Sequence, residues 1–381
     1  MDVQGPAIGA VTSMSARKAV FRVDASLQIG TGHVMRCLTL AELLRTQGVE
    51  CHFVCREHAG HLLDVVARRG HEVHRLPMAE RPDSMESRQL PAHAGWLGGT
   101  WQLDAHQTGA VLAATRPQWL VVDHYALDAR WESAVRSAAG RVLVVDDLAD
   151  RRHDCDVLVD QTLGRQSKEY EHLVPSSCRC LTGASYALLR PEFAQLRPES
   201  LARRRGQMRL QHVVITMGGV DRDNAAGRVL QALDRCTLPE DSHITVVMGP
   251  TAPWLLRVQE QAAAMRWPTQ VLVDVHDMAR LMATADVAIG AAGSTSWERC
   301  CLGVPTLMLV LADNQRGVAE ALEAAGAAIV LGDADAGPDR IGAALQDLTD
   351  NPRLRQMIER AGAVTDGRGA VAVSSCMLDE R

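Results

Sequence analysis

Phenylalanine and tyrosine are nearly missing from this chain, at three residues each among 381. Leu, Val and Ala must therefore carry the core, and few rings are left for stacking bases, which weighs against a single-strand nucleic-acid binder. A basic excess is missing too. Forty Lys and Arg stand against 46 Asp and Glu, a net charge of −6. A broad nucleic-acid surface needs the opposite balance, although a local basic site for a phosphorylated small molecule stays open. No apolar run is long. The longest, Val304 to Ala312 with Pro305 inside it, falls far short of a membrane span. Arg17 and Lys18 follow the first apolar stretch instead of preceding it, so a secretory leader is not expected. None of the ten cysteines forms a CxxC pair of zinc spacing. They are read as reduced, mostly buried thiols of a cytoplasmic protein.

What is present is an ordinary globular balance, 47% hydrophobic and 23% charged, in a chain long enough for two or three domains. Short β-branched runs alternate with longer helical patterns. The first half offers strands near Ala19–Asp24, Glu50–Cys55, His71–Leu76, Trp119–Val122 and Val142–Val145. The second offers them at His212–Thr216, Ile244–Met248, Gln270–Val273, Val287–Ile289 and Thr306–Leu309. Helical patterns lie between, as in His33–Thr46, where Val34, Leu38, Ala41 and Leu44 share one side. Such alternation implies βαβ units and parallel sheets, hence an α/β protein of two Rossmann-like domains facing across a cleft. Residues 1–17 read as a loose extension, with Met14 an alternative start. Residues 18–190 form the first domain, 191–209 a linker and 210–381 the second domain. The linker carries prolines and the run Arg203-Arg204-Arg205. A solvated face is the simpler reading of that run, ahead of phosphate binding.

Ligands of open α/β sheets bind beyond the carboxyl ends of the strands. Three glycine turns fall there. The first strand runs through Asp24 into Gly30-Thr31-Gly32-His33 at a helix start. Glycines let the backbone pass close to a ligand, and the helix start offers free N–H groups. A dinucleotide fingerprint would want a third glycine where Met35 stands, so nicotinamide binding is discounted even though Glu50 lies 20 residues past Gly30. His33 sits in the first helical turn at the cleft mouth. A helix start disfavours positive charge, and a neutral imidazole facing a cleft is a competent general base. The second turn is Met217-Gly218-Gly219-Val220-Asp221. The third is Gly293-Ser294-Thr295, with Glu298 one helical turn on. Backbone N–H groups and two hydroxyls there suit a diphosphate, and a carboxylate suits a ribose diol. Ser294 and Glu298 also read as a simple capping pair. Asp154-Cys155-Asp156 has a cation-binding spacing, but Asp156 opens an apparent strand, so no metal is expected.

Several of these segments together resemble a known family. Arg22-Val23-Asp24, the stretch Gly30 to Cys37, Asp123-His124-Tyr125, Asp146-Asp147, Gly183 to Phe193, Met217 to Asp221 and Gly293 to Glu298 are similar to the signature of the UDP-2,4-diacetamido-2,4,6-trideoxy-β-L-altropyranose hydrolases of pseudaminic acid biosynthesis. The histidine loop and the block Ser185-Tyr186-Ala187-Leu188-Leu189-Arg190 are the specific parts. The glycine turns are shared more widely with two-domain glycosyltransferases of the GT-B, MurG-like type. Trp96–Trp101 looks like a local insertion.

The resemblance implies a GT-B fold and release of UDP by water attack at the anomeric carbon, with inversion and without metal or cofactor. It implies that His33 activates the water. Asp24, Gly30, Gly32, Asp123, Tyr125, Gln161, Tyr186 and Arg190 would hold the sugar, although core packing is an equal reading for both tyrosines. Gly218, Gly219, Met248, Gly293, Ser294, Thr295 and Glu298 would hold UDP. Substrate UDP-sugar and product UDP would be the partners, with no nucleic acid and no membrane span, and a monomeric state is open to it. The pathway leads to flagellin glycosylation or to surface polysaccharide. A GT-B glycosyltransferase using a UDP-sugar donor is the alternative.

Overall fold

A computed structural model describes residues 17–79, 90–206, 209–333, 336–349 and 351–379. The expected extension, apart from Arg17, and the alternative start at Met14 lie outside the described residues. Seven strands make the first sheet: β1 (Arg17–Val23), β2 (Val49–Arg56), β3 (Glu72–Leu76), β4 (Trp119–Asp123), β5 (Arg141–Val145), β6 (Val157–Asp160) and β7 (Arg179–Thr182). Six make the second: β8 (His212–Thr216), β9 (His243–Met248), β10 (Thr269–Val273), β11 (Val287–Ala291), β12 (Thr306–Val310) and β13 (Ile329–Asp333). Their pairings are all parallel.

Parallel strands need both faces covered, which is why these runs are almost continuously apolar. In β1, Ala19, Phe21 and Val23 enter one core, while Val20 enters the core on the opposite face with Leu120 and Val122 of β4. The second sheet repeats the arrangement, with Val213 and Ile215 on one side and Val214 on the other. The strand order is β3-β2-β1-β4-β5-β6-β7 in one sheet and β10-β9-β8-β11-β12-β13 in the other. The direction of winding reverses between β1 and β4, and again between β8 and β11. At such a switch point the flanking loops part and leave a crevice at the strand ends. The Gly30–Gly32 loop and Asp123 flank the first crevice, and the turns at Gly218 and Gly293 flank the second.

Two boundaries differ from the sequence expectation. The supposed linker is mostly a helix, Pro191–Arg204, with Pro191 in its first turn, where a missing N–H costs nothing, and Pro198 inside it. Nor is the arginine run a uniformly solvated face. Arg204 is fully buried and donates to the carbonyls of Met282, Ala283, Ala285 and Gly303 at 2.8–3.1 Å. Burial, with Arg203 beside it, pushes its guanidinium down to about 10. Arg203 pairs with Asp286, and Arg205 is exposed. At the other end, the helix Gly369–Leu378 returns to the first sheet. Ala370, Val373, Cys376 and Met377 join that core, and Trp119 Nε1 donates to the Met377 carbonyl at 2.8 Å. Residues 210–381 therefore do not form one unit. No helix among the described residues is long and apolar enough to cross a membrane.

Candidate active site

After β1 the chain makes a tight loop before entering the helix Gly32–Thr46. Ser26 organises it. Its hydroxyl accepts from the N–H groups of Gln28 and Ile29, at 3.1 and 2.9 Å, and its carbonyl accepts from Gly30 N–H at 2.8 Å. Gly30 has φ +82°, a left-handed conformation that side chains other than glycine's resist. The loop delivers His33 into the first helical turn, its side chain 11% exposed.

His33 Nδ1 lies 2.6 Å from Asp123 Oδ1, at the end of β4. Arg36, one turn further along the helix, grips the same carboxylate with Nε at 2.7 Å and Nη2 at 2.8 Å. Burial pushes the Asp123 carboxyl up, but Arg36 and His33 outweigh it and hold the group well below the usual carboxylate range. An ionised carboxylate can only accept. Nδ1 therefore carries a proton, so in the neutral ring the lone pair is on Nε2, which has no hydrogen bond to any described residue. That is the tautomer a general base requires.

Arg36 also reaches Asp147 Oδ2 at 2.5 Å, and Tyr125 OH donates to the same oxygen at 2.9 Å. Burial and the neighbouring Asp147 raise the Tyr125 phenol well above its usual range, so it stays a donor. Asp147 Oδ1 is buried with no hydrogen-bond partner among the described residues, an acceptor left open beside the histidine. The Tyr125 ring meets His33 edge-on at 4.6 Å, and Trp96 stacks on Tyr125 at 5.8 Å. His93 packs 4.4 Å from Trp96. The apparent insertion thus builds an aromatic wall beside His33.

The second half brings its glycine turns to the same place. A Cβ on Gly219 would lie 2.8 Å from Thr31 Oγ1, and one on Gly32 would lie 3.1 Å from Ser294 Oγ. The first loop therefore touches both turns across the cleft. Arg299 shapes the third turn. It is buried, and it donates to the Ala291 carbonyl, the Ser296 hydroxyl and the Thr295 hydroxyl. Gly290 makes room for it, since a Cβ there would sit 2.6 Å from the guanidinium. Glu298 is half-buried, and its carboxylate has no hydrogen bond to any described residue. Burial raises its carboxyl, with Glu192 adding to the rise and Arg190 and Arg299 opposing it.

Of the expected site residues, His33, Gly30, Gly32, Asp123 and Tyr125 converge on the cleft with Gly218, Gly219, Gly293, Ser294 and Thr295. Arg190 lies near Glu298 and donates to the His276 carbonyl at 3.1 Å. Asp24 does not fit a sugar-holding role. It is fully buried, bound by both Arg22 terminal nitrogens at 2.7 and 2.9 Å and by Arg56 N–H at 2.7 Å, with His124 Nε2 at 3.2 Å. Its place is in an ion network that also takes in Asp104. Met248 is also displaced from its expected role, because its side chain is buried in the second core and only Gly249 after it reaches the Gly219 turn. Gln161 is buried and accepts from Leu188 N–H, and Tyr186 packs half-buried against the first core. Arg36 and Asp147 lie within the signature segments and Trp96 opens the apparent insertion, but none of them, nor His93 or Arg299, was assigned a site role from the sequence. Only Arg36 had a local signal, three residues after His33 on one helical face.

Residues 212–369 match the model of the Glycosyltransferase family 28 C-terminal domain. Over 302 residues the chain is 25% identical to the UDP-2,4-diacetamido-2,4,6-trideoxy-β-L-altropyranose hydrolase of Campylobacter jejuni, covering 79% of this chain and 94% of that one. It is 27% identical to the UDP-N-acetylglucosamine–N-acetylmuramyl-(pentapeptide) pyrophosphoryl-undecaprenol N-acetylglucosamine transferase of Sorangium cellulosum, covering 91% and 85%. Among solved structures, MurG of Acinetobacter baumannii superposes with a TM-score of 0.67 at 16% identity, covering 95% of this chain and 99% of that one. The fold is GT-B. At that identity the likeness speaks for the fold alone, and the sequence expectation of two Rossmann-like halves is met by it.

Proposed function

We propose that this chain hydrolyses a UDP-linked 2,4-diacetamido-2,4,6-trideoxy sugar, releasing UDP. The observation that carries the reading is the His33–Asp123 pair, 2.6 Å apart, facing the two glycine turns of the second half. The name of the Campylobacter relative supports the substrate. Water gives a proton to His33 Nε2 as its oxygen bonds to the anomeric carbon. The bond from that carbon to phosphate breaks, and UDP leaves with the electron pair. A single displacement inverts the carbon. UDP is a good leaving group, so backbone donors at Gly218, Gly219 and Ser294 suffice for the developing charge, and no metal is called for. Glu298 holds the ribose. Tyr125 and the Trp96 wall face the sugar, with the rings for apolar substituents, and Asp147 holds the Tyr125 hydroxyl in place.

Transfer to an acceptor is the second reading, favoured by the transferase relative that aligns over 91% of this chain. One assay separates the two. Purified protein is incubated with UDP-linked diacetamido sugars and UDP-N-acetylglucosamine, in excess chelator, and UDP release is followed with and without an added acceptor. Hydrolysis predicts free sugar and UDP in equal amounts with no acceptor present. Release only with acceptor assigns transfer instead. Activity lost to chelation and restored by Mg²⁺ or Mn²⁺ would overturn the backbone account of charge stabilisation.

A further inference from the structure

The edge of the first sheet carries a cluster that the cleft chemistry does not use. Alternate residues of a strand share a face, so Glu50 and His52 of β2 stand beside Glu72 and His74 of β3. The ladder pairs His52 directly with Glu72. His52 Nδ1 lies 3.3 Å from His74 Nε2 and 3.4 Å from Glu72 Oε2, and His74 Nε2 lies 3.8 Å from Glu72 Oε1. We propose that His52, Glu72 and His74 bind a divalent first-row cation, zinc by ligand type.

The spacing, the donor set and the carboxylate behind His52 support the assignment. Ligand atoms bonded at 2.0–2.1 Å in a tetrahedral site stand about 3.3 Å from one another, which is the spacing seen between the two imidazole nitrogens. Two imidazoles and a carboxylate form a donor set that zinc accepts, with water in the fourth position. The other nitrogen of His52 completes the pattern. His52 is only 3% exposed, and its Nε2 lies 2.9 Å from Glu50 Oε1, at an angle too oblique for a hydrogen bond. A carboxylate behind a ligating imidazole fixes its tautomer and raises its basicity, and a small rotation of the exposed Glu50 closes that bond.

The location gives the cation its role. His52 lies in the first half of β2, away from the carboxyl ends where His33 and Asp123 sit. Among the described residues β3 is the sheet's edge and pairs on one side only. A bound cation would tie this edge strand to β2 and take no part in the cleft reaction, so the inference stands apart from the proposed hydrolysis.

The test uses the full chain prepared without a histidine tag and freed of metal. Co²⁺ is titrated in as a spectroscopic probe for the parent, His74→Ala and Glu72→Ala. Both substituted side chains reach solvent, so the fold should hold, and thermal melts with and without Zn²⁺ verify it. The parent should take up one Co²⁺ with visible d–d absorption of four-coordinate intensity, displaced by Zn²⁺. Zn²⁺ should raise its melting temperature. Each variant should bind at least about tenfold more weakly and lose the Zn²⁺ shift. No visible band in the parent, or affinities within about threefold across the three proteins, would overturn the site and leave the two imidazoles as an ordinary N–H···N pair.

Discussion

Asp123 gains its importance from what surrounds it. Two nitrogens of Arg36 and one of His33 saturate its oxygens, with Cys37 Sγ at 3.5 Å. So held, it stays ionised and keeps the proton of His33 on Nδ1. Replacing His33 by Asn leaves an amide that can still donate to Asp123 but cannot take a proton from water. We expect turnover to fall by ~10²–10⁴-fold, the usual range for loss of a general base, with UDP affinity unchanged. Near-parent turnover in His33→Asn would remove the base assignment. Glu298 poses the complementary question. Its carboxyl is half-buried, raised by burial and free of hydrogen bonds to described residues. Such a group gains most from a ligand that donates two hydroxyls, each charge-assisted bond being worth roughly 1.5–3 kcal/mol in proteins. Glu298→Gln should weaken UDP binding, and Glu298→Ala should weaken it more. Saturated turnover should move less than in His33→Asn, because the ribose is remote from the reacting carbon. Calorimetric titration of UDP checks this. Unchanged affinity with a lowered melting temperature would make Glu298 a residue of the helix end alone.

At the scale of elements, the sequence shows what is local and hides what is folded over from afar. A strand, a glycine turn and a helix start are contiguous, so the loop holding His33 and the turns at Gly218 and Gly293 are legible. Strands β6 and β7, of four residues each, are too short to show a period, and β13 ends on a glycine and an aspartate. The Pro191–Arg204 helix reads as a break because prolines punctuate it, yet one opens the helix and the other is absorbed within it. Arg204 looks like one of three linker arginines. The carbonyls that bury it lie some 80 to 100 positions away in sequence. Separation in sequence also hides Asp147 from Arg36, 111 positions away, and Trp96 from the Tyr125 ring it stacks on. Nor does composition tell that the helix Gly369–Leu378 belongs with the first sheet, since its apolar residues would suit either core.

Across the whole molecule, buried charge is unevenly placed, and this gives a prediction about acid. Asp24, Asp104, Asp123 and Asp146 are all fully buried in the first half. Burial pushes each upward, but adjacent arginines outweigh it and hold all four carboxyls below their ordinary value. The native state thus refuses protons that the unfolded chain accepts from about pH 3.9 downward. Their contribution is fully present above that pH and is lost as pH falls toward the folded values. Each tenfold drop in a carboxyl's proton affinity on folding is worth about 1.4 kcal/mol. Asp160, in the same half, opposes the trend. Burial and Asp147 raise it to about 6, so its proton favours the fold below that pH. In the second half, Asp221 and Glu298 are raised, chiefly by burial, and they too favour the fold when protonated. Four fully buried carboxyls held low against one raised make the first half the acid-sensitive one, and the second half should tolerate acid better. Hydrogen exchange resolved by segment, compared between pH 7 and pH 3, should show β1, β4 and β5 losing protection before β8 and β11. Because Asp123 is both one of these four carboxylates and the partner of His33, any irreversible loss of UDP release after acid exposure should follow the first half. Uniform loss of protection, or earlier loss in β8 and β11, would mean that the buried ion network does not govern acid stability.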